Sequence, residues 1–191
     1  MAKTLITILI VLLFQNSIAQ RADFGIKAGL NLSTLRTESN IYSYNAGMNL
    51  GVLCHLHIFT HFAIQPELLF SMQGAERKNT IYKNNLKLNY VNLPILAIYM
   101  FENGFRIETG PQPGFLVSAK NNFGGTETDI KNDIQGADLS WAFGAGYISK
   151  RRIGGDIRYN LGLSRVNKNG NNTDLKNGVF QFDIFYQFKG R

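Results

Sequence analysis

From Val179 to Phe188 the even positions Phe180, Phe182, Ile184, Tyr186 and Phe188 are apolar or aromatic, while Gln181, Asp183 and Gln187 hold odd ones. A period of two sends the two sets to opposite faces of a β-strand. Within the strand Phe185 departs from the polar set. The same two-faced pattern opens the chain, where Phe24, Ile26, Ala28, Leu30 and Leu32 alternate with Gly25, Lys27, Gly29, Asn31 and Ser33. It recurs over Tyr42 to Ile58, Phe62 to Gln73, Phe105 to Ser118, Leu139 to Tyr147 and Ile153 to Ser164. Counting Leu86 to Phe101, eight strands result. In that fourth strand Leu86 and Leu88 share a parity with Asn92, and Leu93 to Phe101 is nearly all apolar, so its facing is left open; a bulge or phase change near Tyr90 is expected.

The joins between these strands fall into two kinds. Short turns follow the second, fourth and sixth strands, at Thr60-His61, Glu102-Asn103-Gly104 and Ser149 to Arg152. Long polar loops run Thr34 to Asn40, Ala75 to Asn85, Lys120 to Gly136 and Asn167 to Asn177. Tight turns alternating with long loops on an even number of antiparallel strands predict an all-β, eight-stranded up-and-down transmembrane β-barrel. Ahead of it, Lys3, the apolar run Leu5 to Phe14, and Ser17-Ile18-Ala19 read as a cleaved signal peptide, residues 1–19. Residues 20–191 then form the barrel domain, with both termini in the periplasm and the long loops outside.

Parity alone does not say which face points inward. A lipocalin-like soluble barrel would keep its apolar set inside; a membrane barrel inverts it. Three features favour the inverted assignment. Aromatics cluster towards strand ends on the apolar face (Phe24, Tyr42, Tyr44, Phe62, Phe70, Phe105, Tyr147, Tyr159, Phe188), as interfacial girdles require. Most glycines fall on the polar face, which suits a cramped interior. The chain also ends in an alternating strand with Phe188 near the terminus, the kind of segment outer-membrane assembly machinery reads. An eight-stranded lumen is just filled by side chains. The inward set includes Lys27, Arg106 and Arg158 against Glu67, Glu108, Asp156 and Asp183, and unpaired charges there would carry a large desolvation penalty. An ion-paired plug is therefore expected, with no wide aqueous channel.

The whole barrel segment resembles the Bacteroidetes-type outer-membrane β-barrel family, the PorT-like or porin-family proteins. The carrying segments are Gly25-Ile26-Lys27-Ala28-Gly29-Leu30-Asn31, Ile64 to Ala75 (IQPELLFSMQGA), Tyr90-Val91-Asn92-Leu93-Pro94, Gly110-Pro111-Gln112-Pro113-Gly114-Phe115-Leu116 and Arg158-Tyr159-Asn160-Leu161-Gly162-Leu163. At Asn92 the family pattern commonly has Glu, so one inward carboxylate is missing here. The resemblance implies an outer-membrane barrel but no single activity; members include a component linked to protein secretion and gliding.

Composition narrows the chemistry. The 191 residues are 45% hydrophobic and 17% charged, with 19 Gly, one Cys and a net charge of +7. The lone Cys54 excludes an intramolecular disulfide framework. The basic balance finds no nucleic-acid-binding motif to serve, and the export signal argues against that role. Basic residues instead sit in turns and loops (Arg77-Lys78, Lys83, Lys150-Arg151-Arg152, Lys168, Lys176), where outer-membrane lipid and lipopolysaccharide phosphates are the expected partners. His55, His57 and His61 lie close in sequence, but without CxxC, HExxH or a carboxylate partner they predict no metal site. Ser33, Ser71 and Ser118 are placed near the outer rim with no histidine beside them, so no catalytic pair and no cofactor is expected. The leading expectation is a non-enzymatic barrel, structural or partner-binding through its loops. A small diffusion pore or transporter, or a secretion accessory, is the alternative.

Overall fold

The computed structural model describes residues 22–37, 42–77, 84–168 and 174–189. The expected leader, residues 1–19, and the loop lysines Lys78 and Lys83 lie outside the described residues. Strands run as β1 (Ala22–Arg36), β2 (Tyr42–Ser43), β3 (Asn45–Phe59), β4 (Phe62–Arg77), β5 (Asn84–Asn92), β6 (Ile95–Met100), β7 (Phe105–Phe123), β8 (Thr126–Asp129), β9 (Ala137–Ile148), β10 (Ile153–Gly162) and β11 (Lys176–Gln187). They form eight staves, because β2 precedes β3 on one stave, β5 and β6 share another, and β8 is an arm beyond the wall. Neighbouring staves are antiparallel, and β1 pairs with β11 from Gly25↔Gln187 to Arg36↔Lys176, which closes the cylinder. Closure leaves no stave with an unpaired edge, the condition for a sheet to sit in hydrocarbon.

The inverted assignment holds. Phe24 is 63% exposed, Phe182 42% and Ile184 69%, whereas Asp183 between the last two is 4% exposed. The outer wall is a continuous apolar belt, and the lumen holds nearly all the buried polar groups. Tyr44 and Phe180 contribute to one aromatic edge of the belt with centroids 6.3 Å apart, and Tyr159 lies 4.6 Å from Phe180. Tyr42 is different. The strand breaks at Tyr44, and Tyr42 packs against buried apolar residues instead of joining the girdle.

The fourth stave resolves the open facing. It is interrupted at Leu93-Pro94, yet its register is continuous across the gap, with Asn92↔Gly114 on one side and Ala97↔Thr109 on the other. No phase change occurs on this stave, so Leu88, Tyr90, Asn92, Leu96 and Ile98 all face inward. The bulge lies instead on β7, where Asn89 pairs with Ser118 and Tyr90 with Leu116, leaving Val117 over. It turns Ser118 away from the lumen, contrary to the expectation from parity. The break also explains the prolines. All four in the chain meet here: Pro94 in the gap, Pro66 opposite Ile95 on β4, and Pro111 and Pro113 on the facing stretch of β7. A proline cannot donate to a ladder, and concentrating them at one seam confines the missing hydrogen bonds to a single place. Glu67 N donates to Pro94 O at 2.9 Å and Leu93 N to Pro113 O at 2.8 Å, which keeps the seam joined.

The connection expected as a polar loop from Lys120 to Gly136 is largely structured. Strand β7 continues to Phe123, turns through Gly124 and Gly125 at positive φ, and returns as β8. A single 3-10 turn at Lys131–Asp133 then leads the chain back over the barrel mouth.

Candidate functional site

The lumen has two differently built levels. At its waist the seven charged residues singled out from the sequence converge from five strands: Lys27 on β1, Glu67 on β4, Arg106 and Glu108 on β7, Asp156 and Arg158 on β10, and Asp183 on β11. Lys27 Nζ reaches Asp156 Oδ2 at 2.9 Å, Asp183 Oδ2 at 3.2 Å and Glu67 Oε1 at 3.3 Å. Arg158 spans the lumen, with Nη1 3.0 Å from Glu67 Oε2 and Nη2 2.8 Å from Glu108 Oε1. Arg106 Nη2 lies 3.2 Å from both Glu108 Oε2 and Asp156 Oδ2. Every one of these side chains is essentially inaccessible to water.

Three cations face four carboxylates, and neutral donors supply the difference. Asn49 Nδ2 donates to Asp183 Oδ1 at 2.8 Å, and Gln65 Nε2 donates to Glu67 Oε1 at 2.7 Å. Gln65 has thereby committed its amide, so its Oε1 accepts from His55 Nδ1 at 2.8 Å and fixes that ring's proton on Nδ1. Phe185, an apolar residue among the inward positions of the last strand, lies beneath Arg106, whose Cζ is 4.2 Å from the ring centroid. The guanidinium is held over the negative π face. Gly154 makes room for that ring, since a Cβ there would stand 2.2 Å from Phe185 Cζ. Asn49, Gln65, His55 and Phe185 are members of the network that charge alone did not single out. Their signal was inward parity, Gln65 and Phe185 on strands that carry the charges and Asn49 and His55 on β3.

Above the waist, towards the long loops, the lumen turns apolar. Leu88, Tyr90, Leu116, Ala119, Leu35 and Ala75 from the strands pack with Ile134 and Val166, which the loops bring over the mouth. The loop pair is pinned by a bridge between Ile134 and Asn167, by Gln135 N donating to Val166 O at 2.7 Å and by Lys168 N donating to Asp133 O at 3.0 Å. The sequence reading took these connections as polar loops facing solvent, lipid or partners and gave them no part in filling the lumen.

The other candidates separate. His55 and His57 touch edge to face at 4.6 Å between centroids, while His61 stacks on Tyr99 at 6.0 Å. Among the described residues no group of three or more His, Cys, Asp and Glu is placed to hold a metal ion. Ser33 and Ser71 are buried inside the wall, where Ser33 Oγ accepts from Gly74 N at 2.9 Å and Ser71 Oγ from Asn31 Nδ2 at 3.0 Å. Ser118 stands outside, accepting from Asn89 Nδ2 at 2.8 Å.

A closed antiparallel cylinder with an apolar belt outside and paired charges within defines the class: an integral β-barrel of the outer membrane. The chain belongs to the outer membrane protein beta-barrel domain family, whose sequence model matches residues 15–167. Among solved structures it is similar in fold to Neisserial surface protein A, at 12% identity and a TM-score of 0.60, covering 87% of this chain and 99% of that one. It is also similar to Ail, the attachment invasion locus protein of Yersinia pestis, at 16% identity and a TM-score of 0.50, covering 88% and 99%. A UPF0276 protein of Neisseria gonorrhoeae is 31% identical over 96 residues, which are 48% of this chain and 34% of that protein. The chain therefore spans about a third of the length of that relative.

Proposed function

We propose that this protein is a non-enzymatic outer-membrane barrel whose sealed lumen serves stability, leaving its long-loop end to meet partners outside the cell. The observation that carries the reading is the waist: seven charged side chains, all buried, are ion-paired with one another and bonded to amides across the bore, although Arg106 Nε is left without a partner among the described residues. An aqueous pore needs charged groups that face water, and these do not. In this reading residues 1–19 are removed on export, both termini lie in the periplasm, and the assembly machinery of the outer membrane inserts the chain by its last strand. The motifs around Ile64 to Ala75 and Gly110 to Leu116 support a place near the PorT-like branch, where the protein would act as a passive envelope component or as an accessory to secretion.

Planar-bilayer recording tests the claim. The purified barrel is expected to give no reproducible conductance steps. Steps of constant size that vanish when the protein is omitted would overturn the sealed lumen and leave the pore reading in its place.

A further inference from the structure

The apolar belt has one polar notch. On the outer face of the fourth stave the outward series Phe101, Tyr99, Ala97, Ile95, Leu93 and Val91 gives way, towards the long loops, to Asn89 and Lys87. On β7 the bulge turns Ser118 outward just above Val117, and Lys120 follows. Lys87 and Lys120 are directly opposed in register. Like charges facing each other across a ladder destabilise it, so this pair calls for an anion between them.

An anion is present. Glu127, from the arm β8, places Oε1 2.7 Å from Lys87 Nζ and Oε2 3.2 Å from Lys120 Nζ. The two ammonium groups thus converge on one pair of oxygens, and each lysine side chain is still about half exposed, at 50% and 52%. Beside them Ser118 accepts from Asn89, which leaves its own hydroxyl proton free to donate outward. Below the lysines a groove of about 370 Å³ runs over Ala46, Gly47 and Met72, with Asn45 and Gln73 beside them. A cationic, hydrogen-bonding upper edge next to the exposed Met72 of the apolar belt matches a lipid with an anionic headgroup.

We propose that Lys87, Lys120 and Ser118 form a seat for the phosphate of an outer-leaflet lipid, with its acyl chain lying over Met72, and that Glu127 is the internal carboxylate such a phosphate displaces. The assignment rests on the outer-membrane orientation given above, with the long loops outside. A phosphate monoester offers three acceptor oxygens and more charge than one carboxylate. It can satisfy both lysines and the serine together, whereas Glu127 meets only the lysines.

The test uses the refolded full barrel in detergent and native mass spectrometry, with three probes: bis-phosphorylated lipid A, the same lipid freed of its phosphates, and inorganic phosphate. Wild type is expected to retain the phosphorylated lipid about tenfold more tightly than the dephosphorylated one. The double variant K87Q/K120Q should lose that preference, and E127Q should strengthen it, because the competing carboxylate is gone. A control pair at the opposite end, K150Q/R151Q, should behave as wild type, and heat-modifiable gel mobility verifies that each variant is folded. Equal preference in K87Q/K120Q and wild type would overturn the seat. Equal retention of the two lipids by wild type would show that the groove alone binds, and would also overturn it. Displacement of the lipid by equimolar inorganic phosphate would overturn the lipid as occupant. None of these outcomes touches the conductance result, so the seat and the sealed lumen fail separately.

Discussion

Waist and mouth fill the same bore by opposite means. At the waist Lys27, Arg106 and Arg158 are locked to Glu67, Glu108, Asp156 and Asp183, so each side chain is tolerable only because the others are present. At the mouth Leu88, Tyr90, Leu116, Ile134 and Val166 exclude water by packing, and the contribution of each is close to its own buried surface. The difference predicts how each level fails. An ionic level fails as a unit, because one deletion strands several charges. An apolar level fails piecemeal, in proportion to the atoms removed.

Arg158→Ala is the sharpest way to break the waist. It leaves Glu67 and Glu108 without their central partner in a water-free bore, and a loss of roughly 3–5 kcal/mol is expected. Urea midpoints for refolding into lipid vesicles measure it. Combining Arg158→Ala with Glu67→Gln should recover part of the loss, with a coupling of about 1–3 kcal/mol in the double-mutant cycle of these two changes. A loss below about 1 kcal/mol for the single variant would mean that water enters the waist and screens the charges. It would also revive the pore.

Leu88→Ala at the mouth should cost roughly 2–4 kcal/mol, the usual result for a buried leucine whose neighbours relax only partly. Val166→Ala, which removes fewer atoms from the same cluster, should cost about 1–2 kcal/mol. The two effects should add, within a few tenths of a kcal/mol, if the mouth fails piecemeal. Strong non-additivity would show that mouth and waist are one cooperative unit.

This division also decided what the sequence could disclose. The waist was legible because strict alternation on β1, β4, β7, β10 and β11 places Lys27, Glu67, Arg106, Glu108, Asp156, Arg158 and Asp183 on the inner parity, whatever the exact register. Which cation meets which carboxylate was not legible. That depends on the stagger between staves, and Arg158 finds Glu67 ninety-one residues away through a register no local pattern encodes. The mouth was hidden for two reasons. Ile134 and Val166 belong to connections without periodicity, and on the fourth stave Leu88 and Tyr90 share a parity with Asn92 while Leu93 to Phe101 is apolar almost throughout, so parity did not fix its facing. Over Leu93 to Phe101 a stretch apolar on both sides is what a strand between lipid and the buried Leu96 and Ile98 should look like. The bulge at Val117 likewise depends on a neighbour, since only pairing with Asn89 and Tyr90 reveals the extra residue.

A weaker probe contrasts both buried levels with the solvated notch. Glu127 lies outside the membrane, and hydrogen bonds from Lys87 and Lys120 hold its carboxyl below the usual glutamate range. A depressed value means that the folded protein prefers the ionised form. The bridge between β5 and the β8 arm is therefore complete above the ordinary glutamate value and weakens only as pH falls through the lower, folded one. Because the group is fully exposed, salt should erode the same preference. Carboxyl ¹³C titration of Glu127 in micelles is expected to give a midpoint below the ordinary glutamate value, moving up towards it in 1 M salt. A midpoint at or above the ordinary value at low salt would show that the lysines do not engage Glu127 in solution. The contrast with the salt-insensitive waist would then have to rest on burial alone.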